Sequence, residues 1–323
     1  MQHTLIIIGG GPIGIACALE AAKKNIDYVI VEKGTLVNSI YNYPVNMQFF
    51  STSERLEIGQ VPFITNNAKP TRSEALEYYR RVARDNQVNI RLFEKALSVS
   101  KMAGGNGFEV VTDKAIYRST YVIIATGFYD IPYKLNVPGE ELPKVKHYYK
   151  DPHFYAFQKV IVVGAQNSAV DAALETWRKG AEVTMIIRGQ SLGARVKYWV
   201  KPDIENRIRE GSIKAFFNSH VREIREKEVV ISTPGGEVIL ENDWVLAMTG
   251  YQPDLEFLEN AGVTLCKDES RKPDYDEERY ESNQQGIYLA GVICGGMNTN
   301  RLFIENSREH ATRIMNDIAK KIL

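Results

Sequence analysis

The sequence predicts an α/β protein of two doubly wound domains, and three observations carry that expectation. A strand, glycine turn, helix and second strand open the chain, and a second such unit begins near residue 159. Three later apolar runs, "YVIIATG", "DWVLAMTG" and "GIYLAG", each end in a small residue or threonine followed by glycine, as buried parallel strands do before a crossover. Two such units make both domains Rossmann-like.

The elements follow in order. "TLIII" (4–8) is apolar on both faces and reads as a strand inside a parallel sheet, and "PIGIACALEAAKKN" (12–25) carries the helical apolar period. "DYVIVEK" (27–33) supplies the second strand. Gly9, Gly11 and Gly14 form G-x-G-x-x-G, with Glu32 near the end of that strand. Gly9 permits the tight turn, Gly11 lets a pyrophosphate approach the backbone, and Gly14 lets helix and sheet pack closely. The helix N-terminus offers free N–H groups to phosphate, and Glu32 can accept hydrogen bonds from ribose hydroxyls. "FEKALSVSKMAGGNGFEVVTDKAIYRST" (93–120) alternates and turns at Gly104, Gly105 and Gly107, as an antiparallel meander would.

The second unit, "KVIVVGAQNSAVDAALETWRKGAEVTMIIRG" (159–189), opens its turn at Gly164 and closes it at Ala169, with Gln166 where the middle glycine is expected. Its second strand ends in Arg188. A cation there suits a ribose 2′-phosphate, which points to NADPH in place of NADH. Arg195 and Lys197 follow and can add charge. Two dinucleotide units imply two dinucleotides, a flavin facing a nicotinamide, with FAD in the first and NADPH in the second. "RLFIENSREHATRIMNDIAKKIL" (301–323) reads as a closing amphipathic helix whose N-terminus can address the flavin. The charged run "KDESRKPDYDEERYE" (267–281) reads as a solvated loop.

Composition removes other classes. The 323 residues include 40 Lys plus Arg against 40 Asp plus Glu, so no net field draws nucleic acid or an anionic membrane. No apolar run reaches about 18 residues, and the N-terminus enters a strand at once, so a cytoplasmic protein without a membrane span is expected. Cys17, Cys266 and Cys294 are few, odd in number and far apart, which excludes a disulfide framework and a zinc site.

"SIYNYP" (39–44), "FFSTSERLEIGQVPF" (49–63), "LPKVKHYYKDPH" (142–153), "NSAVDAALE" (167–175) and "LFIEN" (302–306) carry a resemblance over the whole chain. The sequence is similar to the thioredoxin-reductase-like flavoproteins, and within them to the bacillithiol disulfide reductases of the YpdA family. That resemblance implies a homodimeric FAD enzyme that oxidises NADPH and reduces a small disulfide. It implies an FAD site of Gly9, Gly11, Pro12, Ile13, Gly14, Glu32, Lys33, Tyr41, Leu97, Thr126, Gly127, Gly291, Val292 and Ile304. The NADPH site is expected from Gly164, Gln166, Asn167, Ser168, Ala169, Arg188, Lys197 and Gly250. FAD-binding segments 1–125 and 250–323 enclose an NADPH-binding segment 155–245, with hinges at 126–154 and 246–249.

Departures from the pattern bear on catalysis. Residues 155–245 contain no cysteine, so the C-x-x-C relay of thioredoxin reductases is absent. The bacillithiol-linked family places a single cysteine after the proline of the first turn; here that position is Ile13. Cys17 lies one helical turn further and reads as a buried packing residue, which leaves Cys294, after "AGVI", as the remaining redox candidate. No catalytic residue is assigned. Val292 stands where the broad class carries an aspartate, an apolar choice that the bacillithiol-linked family shares. The main expectation is therefore NADPH-dependent reduction of a small disulfide. The alternatives are a reductase for a ferredoxin or flavodoxin, then a flavin monooxygenase or a flavin redox sensor.

Overall fold

Leu5, Ile6 and Ile7 are fully buried and Ile8 nearly so. A strand with no exposed face must lie inside a sheet covered on both sides, and each such side chain contributes about 1.5–3 kcal/mol of burial. In the computed structural model, which describes every residue except Asn106 and Leu323, Gln2–Ile8 pairs in parallel with Tyr28–Val31 on one edge and Ile116–Ile124 on the other. Ile90–Arg91 extends the sheet beyond Tyr28–Val31, and Ile287–Leu289 pairs in parallel with Ile116–Ile124. The long strand Ile116–Ile124 also starts the meander, pairing antiparallel with Phe108–Thr112, which pairs with Ala96–Lys101. Asn106, inside the expected meander, and Leu323, at the end of the expected closing helix, lie outside the described residues.

Ile6, Ile8, Val29, Val31, Val122 and Ile124 make one face of this sheet and pack with Leu255 and Leu258 of the helix Leu255–Asn260. The closing helix runs Ile304–Ile322 and buries Ser307, Ala311, Ile314, Met315 and Ile318, one stripe at helical spacing. The first helix is Pro12–Lys23, with proline at its first position, where no N–H partner is lost.

Residues 1–42, 47–131 and 252–323 form one unit, and residues 43–46 and 132–251 a second. The second unit has a parallel sheet in the order Lys214–Phe216, Glu182–Ile186, Lys159–Val163, Trp244–Ala247, Val145–Lys146. It also has an antiparallel meander, His220–Ile224, Glu228–Thr233 and Gly236–Glu241, with Pro234 and Gly235 at the last turn. Each unit thus joins a parallel sheet to a three-stranded meander. The expected hinge 126–154 is corrected in part. Val145–Lys146 is an edge strand of the second sheet, and a Cβ on Gly139 would lie 1.8 Å from the carbonyl oxygen of Ile224, so this stretch is packed structure.

Candidate functional site

The first glycine turn is shaped by close approaches. Gly9 has φ +108°, and a Cβ there would sit 2.5 Å from the Ala125 carbonyl oxygen. A Cβ on Gly14 would lie 1.9 Å from the Gly9 carbonyl oxygen, so this glycine packs helix against turn more closely than helix against strand. Gly11 differs from both. Nothing stands within 4 Å of its missing Cβ, which leaves the space in front of the helix Pro12–Lys23 open.

Glu32 is 6% exposed, and its two oxygens accept from the backbone N–H groups of Gly10 (2.7 Å) and Gly34 (2.8 Å). Burial raises its pKa, and the two N–H donors oppose that rise. The carboxylate braces the turn and retains lone pairs for ribose hydroxyls. Gly9, Glu32, Lys33, Ala96, Thr126 and Asp130 line one cleft of this unit, with Lys33 paired to Asp130 at 2.6 Å on its edge. Thr126 Oγ1 is buried with no partner among the described residues. An open cradle at Gly11, an acid at the strand end and an orphaned hydroxyl in the cleft fit the adenosine diphosphate portion of FAD.

Other expected FAD residues belong to the same unit. Gly127 has φ +75° with open space at its Cβ. Tyr41 ends the short helix Asn38–Tyr41, where Arg72 donates to the carbonyl oxygens of Ile40 (3.2 Å) and Tyr41 (2.6 Å). Gly291 and Val292 start the 3-10 turn Gly291–Gly295, and Ile304 starts the closing helix. Leu97 is half exposed, beside Ala96, which lines the cleft.

The thiols separate clearly. Cys17 is fully buried in the helix Pro12–Lys23, and burial pushes its pKa up to about 12. Cys294, the expected redox candidate, is corrected on the same ground: it is fully buried in the core of the first unit and its pKa is also raised by burial. Cys266 is exposed and does not line the cleft. Ile13, at the position of the family cysteine, packs against Gly291, whose missing Cβ would touch its side chain at 3.4 Å.

Sequence reasoning missed His310. It is 2% exposed, its Nδ1 accepts from the Gly291 N–H at 3.2 Å, and its ring stacks on Tyr280 at 4.0 Å. An accepting Nδ1 requires the neutral ring, and burial lowers the pKa to about 4. Tyr280 belongs to the run expected as a solvated loop, which therefore contributes to packing.

In the second unit Gly164 has φ +137°, and a Cβ there would lie 2.5 Å from the Met248 carbonyl oxygen. Gln166 takes the N-cap position of the helix Asn167–Arg178 without a side-chain capping hydrogen bond and lies across Gly193, where a Cβ would meet its Oε1 at 2.2 Å. Ser168 is exposed and Ala169 buried in the first turn of the helix. Gly250 has φ +96°, and its neighbour Thr249 donates to the Tyr133 carbonyl oxygen at 2.6 Å. Arg188 and Arg195 are exposed and have no acidic partner among the described residues. Lys197 is corrected. Its side chain is 9% exposed and pairs with Asp171 at 2.7 Å, so it is not a free cation for a phosphate.

Comparison with known proteins shows the family. Residues 6–291 match the family model "Pyridine nucleotide-disulphide oxidoreductase". Over 322 residues, 99% of each chain, the sequence is 47% identical to bacilliredoxin reductase Bdr of Bacillus subtilis (strain 168). The structure superposes on bacillithiol disulfide reductase Bdr (YpdA) from Staphylococcus aureus with a TM-score of 0.96 at 42% identity, covering 100% of both chains. With thioredoxin reductase of T. acidophilum the TM-score is 0.77 at 20% identity, covering 99% of both chains, a likeness of fold. The resemblance read from the sequence, and the thioredoxin-reductase-like fold it implied, are borne out.

Proposed function

The chain belongs to the pyridine nucleotide-disulphide oxidoreductases, and within that family we propose that it is an NADPH-dependent FAD enzyme whose acceptor is a small disulfide of the bacillithiol type. As a family member it is an oxidoreductase that works with FAD and a nicotinamide nucleotide. The observation that carries the acceptor is 42% identity, over 100% of both chains, to a protein named as a bacillithiol disulfide reductase. The same identity favours a disulfide over a ferredoxin, flavodoxin or oxygen acceptor.

We infer that residues 1–125 and 250–323 bind FAD and residues 155–245 bind NADPH. The first glycine turn, Glu32 and Thr126 suit the FAD diphosphate and ribose, and the second turn with Arg188 suits the nucleotide that carries a 2′-phosphate. When bound, the flavin supplies the two-electron chemistry that links nicotinamide to disulfide. The overall reaction balances as NADPH, one proton and one disulfide giving NADP⁺ and two thiols, with one S–S bond broken.

Neither buried thiol has an accessible place in that balance, and the exposed Cys266 does not line the cleft. Cys17 and Cys294 are fully buried with raised pKa values, and the position of the family cysteine is Ile13. Ile13 and Gly291 form an apolar contact that cannot donate electrons or protons. A homodimer and a cytoplasmic location rest on the family resemblance, and sedimentation of the purified holoprotein checks the first. Among the described residues no helix is long and apolar enough to cross a membrane.

The deciding experiment reduces the enzyme with NADPH anaerobically and offers bacillithiol disulfide, a ferredoxin, a flavodoxin and oxygen in separate trials. Rapid reoxidation by the disulfide is expected. Reoxidation by a ferredoxin or flavodoxin with none by the disulfide overturns the reading.

A further inference from the structure

The loop after the strand Glu182–Ile186 is fastened at successive points to the second glycine turn and to the helix Asn167–Arg178 that follows it. Gly193 N–H donates to the Ala165 carbonyl oxygen at 2.8 Å. The Asn167 amide bridges the next turn, its Nδ2 donating to the Arg195 carbonyl oxygen at 3.0 Å and its Oδ1 accepting from the Lys197 N–H at 2.8 Å. Lys197 Nζ then reaches Asp171 Oδ2 at 2.7 Å, four residues further along the same helix. Leu192 and Val196, 7% and 5% exposed, sink into the core beneath.

This pattern divides the loop's cations into two kinds. Lys197 is buried, and a buried ammonium persists only with an ionic partner, which Asp171 supplies. Arg188 and Arg195 point outward without such a partner among the described residues. We propose that Asp171 and Lys197 are a positioning pair: they pin residues 193–197 to the helix and so present Arg195 to the 2′-phosphate, beside Arg188 at the strand end, in one conformation. The inference rests on the assignment of this unit to NADPH. Pre-ordering matters because a phosphate bonded to a fixed guanidinium does not have to freeze a mobile loop.

The competing role for Lys197, direct contact with the phosphate, predicts the opposite sign. Removing the Asp171 charge frees a cation and leaves binding equal or tighter if Lys197 is a ligand, whereas it loosens the loop and weakens binding if the pair positions it. The experiment uses holoenzyme with Asp171→Asn, Lys197→Gln, the double variant and Asn167→Ala, and titrates 2′,5′-ADP and 5′-AMP alongside steady-state kinetics with NADPH and NADH. Asp171→Asn and Lys197→Gln should each weaken 2′,5′-ADP roughly tenfold and raise KM for NADPH by about as much, with 5′-AMP and KM for NADH moving less than about twofold. The double variant should fall well short of the product of the single effects, since the two residues act as one unit. Asn167→Ala cuts the same fastening without stranding a buried charge. Because Asn167 is itself expected at the nucleotide, its loss sums a lost contact and a lost fastening, and equal binding of 2′,5′-ADP by this variant and the unmodified enzyme overturns the positioning role even if the other variants do not fold.

Unchanged or tighter 2′,5′-ADP binding in Asp171→Asn overturns the positioning role. Equal losses for both nucleotides also overturn it, because they report general damage. If the unmodified enzyme binds 2′,5′-ADP no better than 5′-AMP, the NADPH assignment itself falls, and that result is separate from the behaviour of the pair.

Discussion

The two glycine turns repeat one backbone device and finish it with opposite chemistry. Gly9 and Gly164 both adopt positive φ, and a Cβ on either would lie 2.5 Å from a carbonyl oxygen of the neighbouring crossover, Ala125 or Met248. Beyond that the turns diverge. The first keeps open space at Gly11 and ends its second strand in the buried, twice hydrogen-bonded Glu32; the second fills the middle position with Gln166 and ends in the exposed Arg188. The comparison teaches that one backbone turn serves both units while the strand end differs in charge, and the proposed choice between free ribose hydroxyls and a 2′-phosphate rests on that difference.

The largest break in the comparison should come from Gly14→Ala. Its new Cβ would lie 1.9 Å from backbone, whereas the second unit already carries Ala169 at the equivalent position. Loss of about 3 kcal/mol or more and a protein purified without flavin are expected, read by melting temperature and by flavin absorbance per chain. A yellow, stable variant would show that helix and turn can separate there.

Acid probes the first unit through His310. Its pKa is depressed from 6.5 to about 4, so the unfolded chain binds the proton that the folded ring refuses. Stability present above pH 6.5 should therefore fall as pH drops toward 4, by an order of about 3 kcal/mol, with no further loss from this group below. Arg313 nearby deepens the depression, and Tyr280 and Cys294 complete the surroundings. His310→Gln should flatten that part of the unfolding profile; an unaltered slope assigns the acid sensitivity elsewhere.

Arg188→Ala sharpens the contrast at the strand ends. Loss of a charge-assisted pair should weaken NADPH by about 1.5–3 kcal/mol, roughly ten- to a hundredfold, and leave NADH almost untouched. Titration with both nucleotides checks it, and an unchanged preference removes Arg188 from the phosphate site.

The smallest effect belongs to Cys17. Eight residues after its opening glycine the first helix carries Cys17, and the second carries Ala172, equally buried. Cys17→Ala should cost about 1 kcal/mol and leave disulfide turnover intact. Loss of turnover with normal bleaching of the flavin by NADPH would identify the thiol as a working nucleophile.

Much of this molecule is local in origin. "TLIII" followed by Gly9, Gly11 and Gly14 dictates a buried strand, a tight turn and a helix from side-chain patterning and glycine sterics alone, and the second unit announces itself in the same way despite Gln166. The β-branched runs "EVVIST" and "GEVILE" about Pro234 and Gly235 also carry a local strand-turn-strand signal for the second meander. Tertiary structure decided what depends on partners distant in sequence. Only packing shows that Lys197 meets Asp171, that His310 must be neutral to accept from Gly291, that Tyr280 leaves its charged run to stack on that ring, and that Cys294 is sealed in a core. Periodicity fixes which face of an element is apolar. The pairing of a charge, the protonation of a ring and the reach of solvent to a thiol are properties of the space between elements, and no single segment contains them.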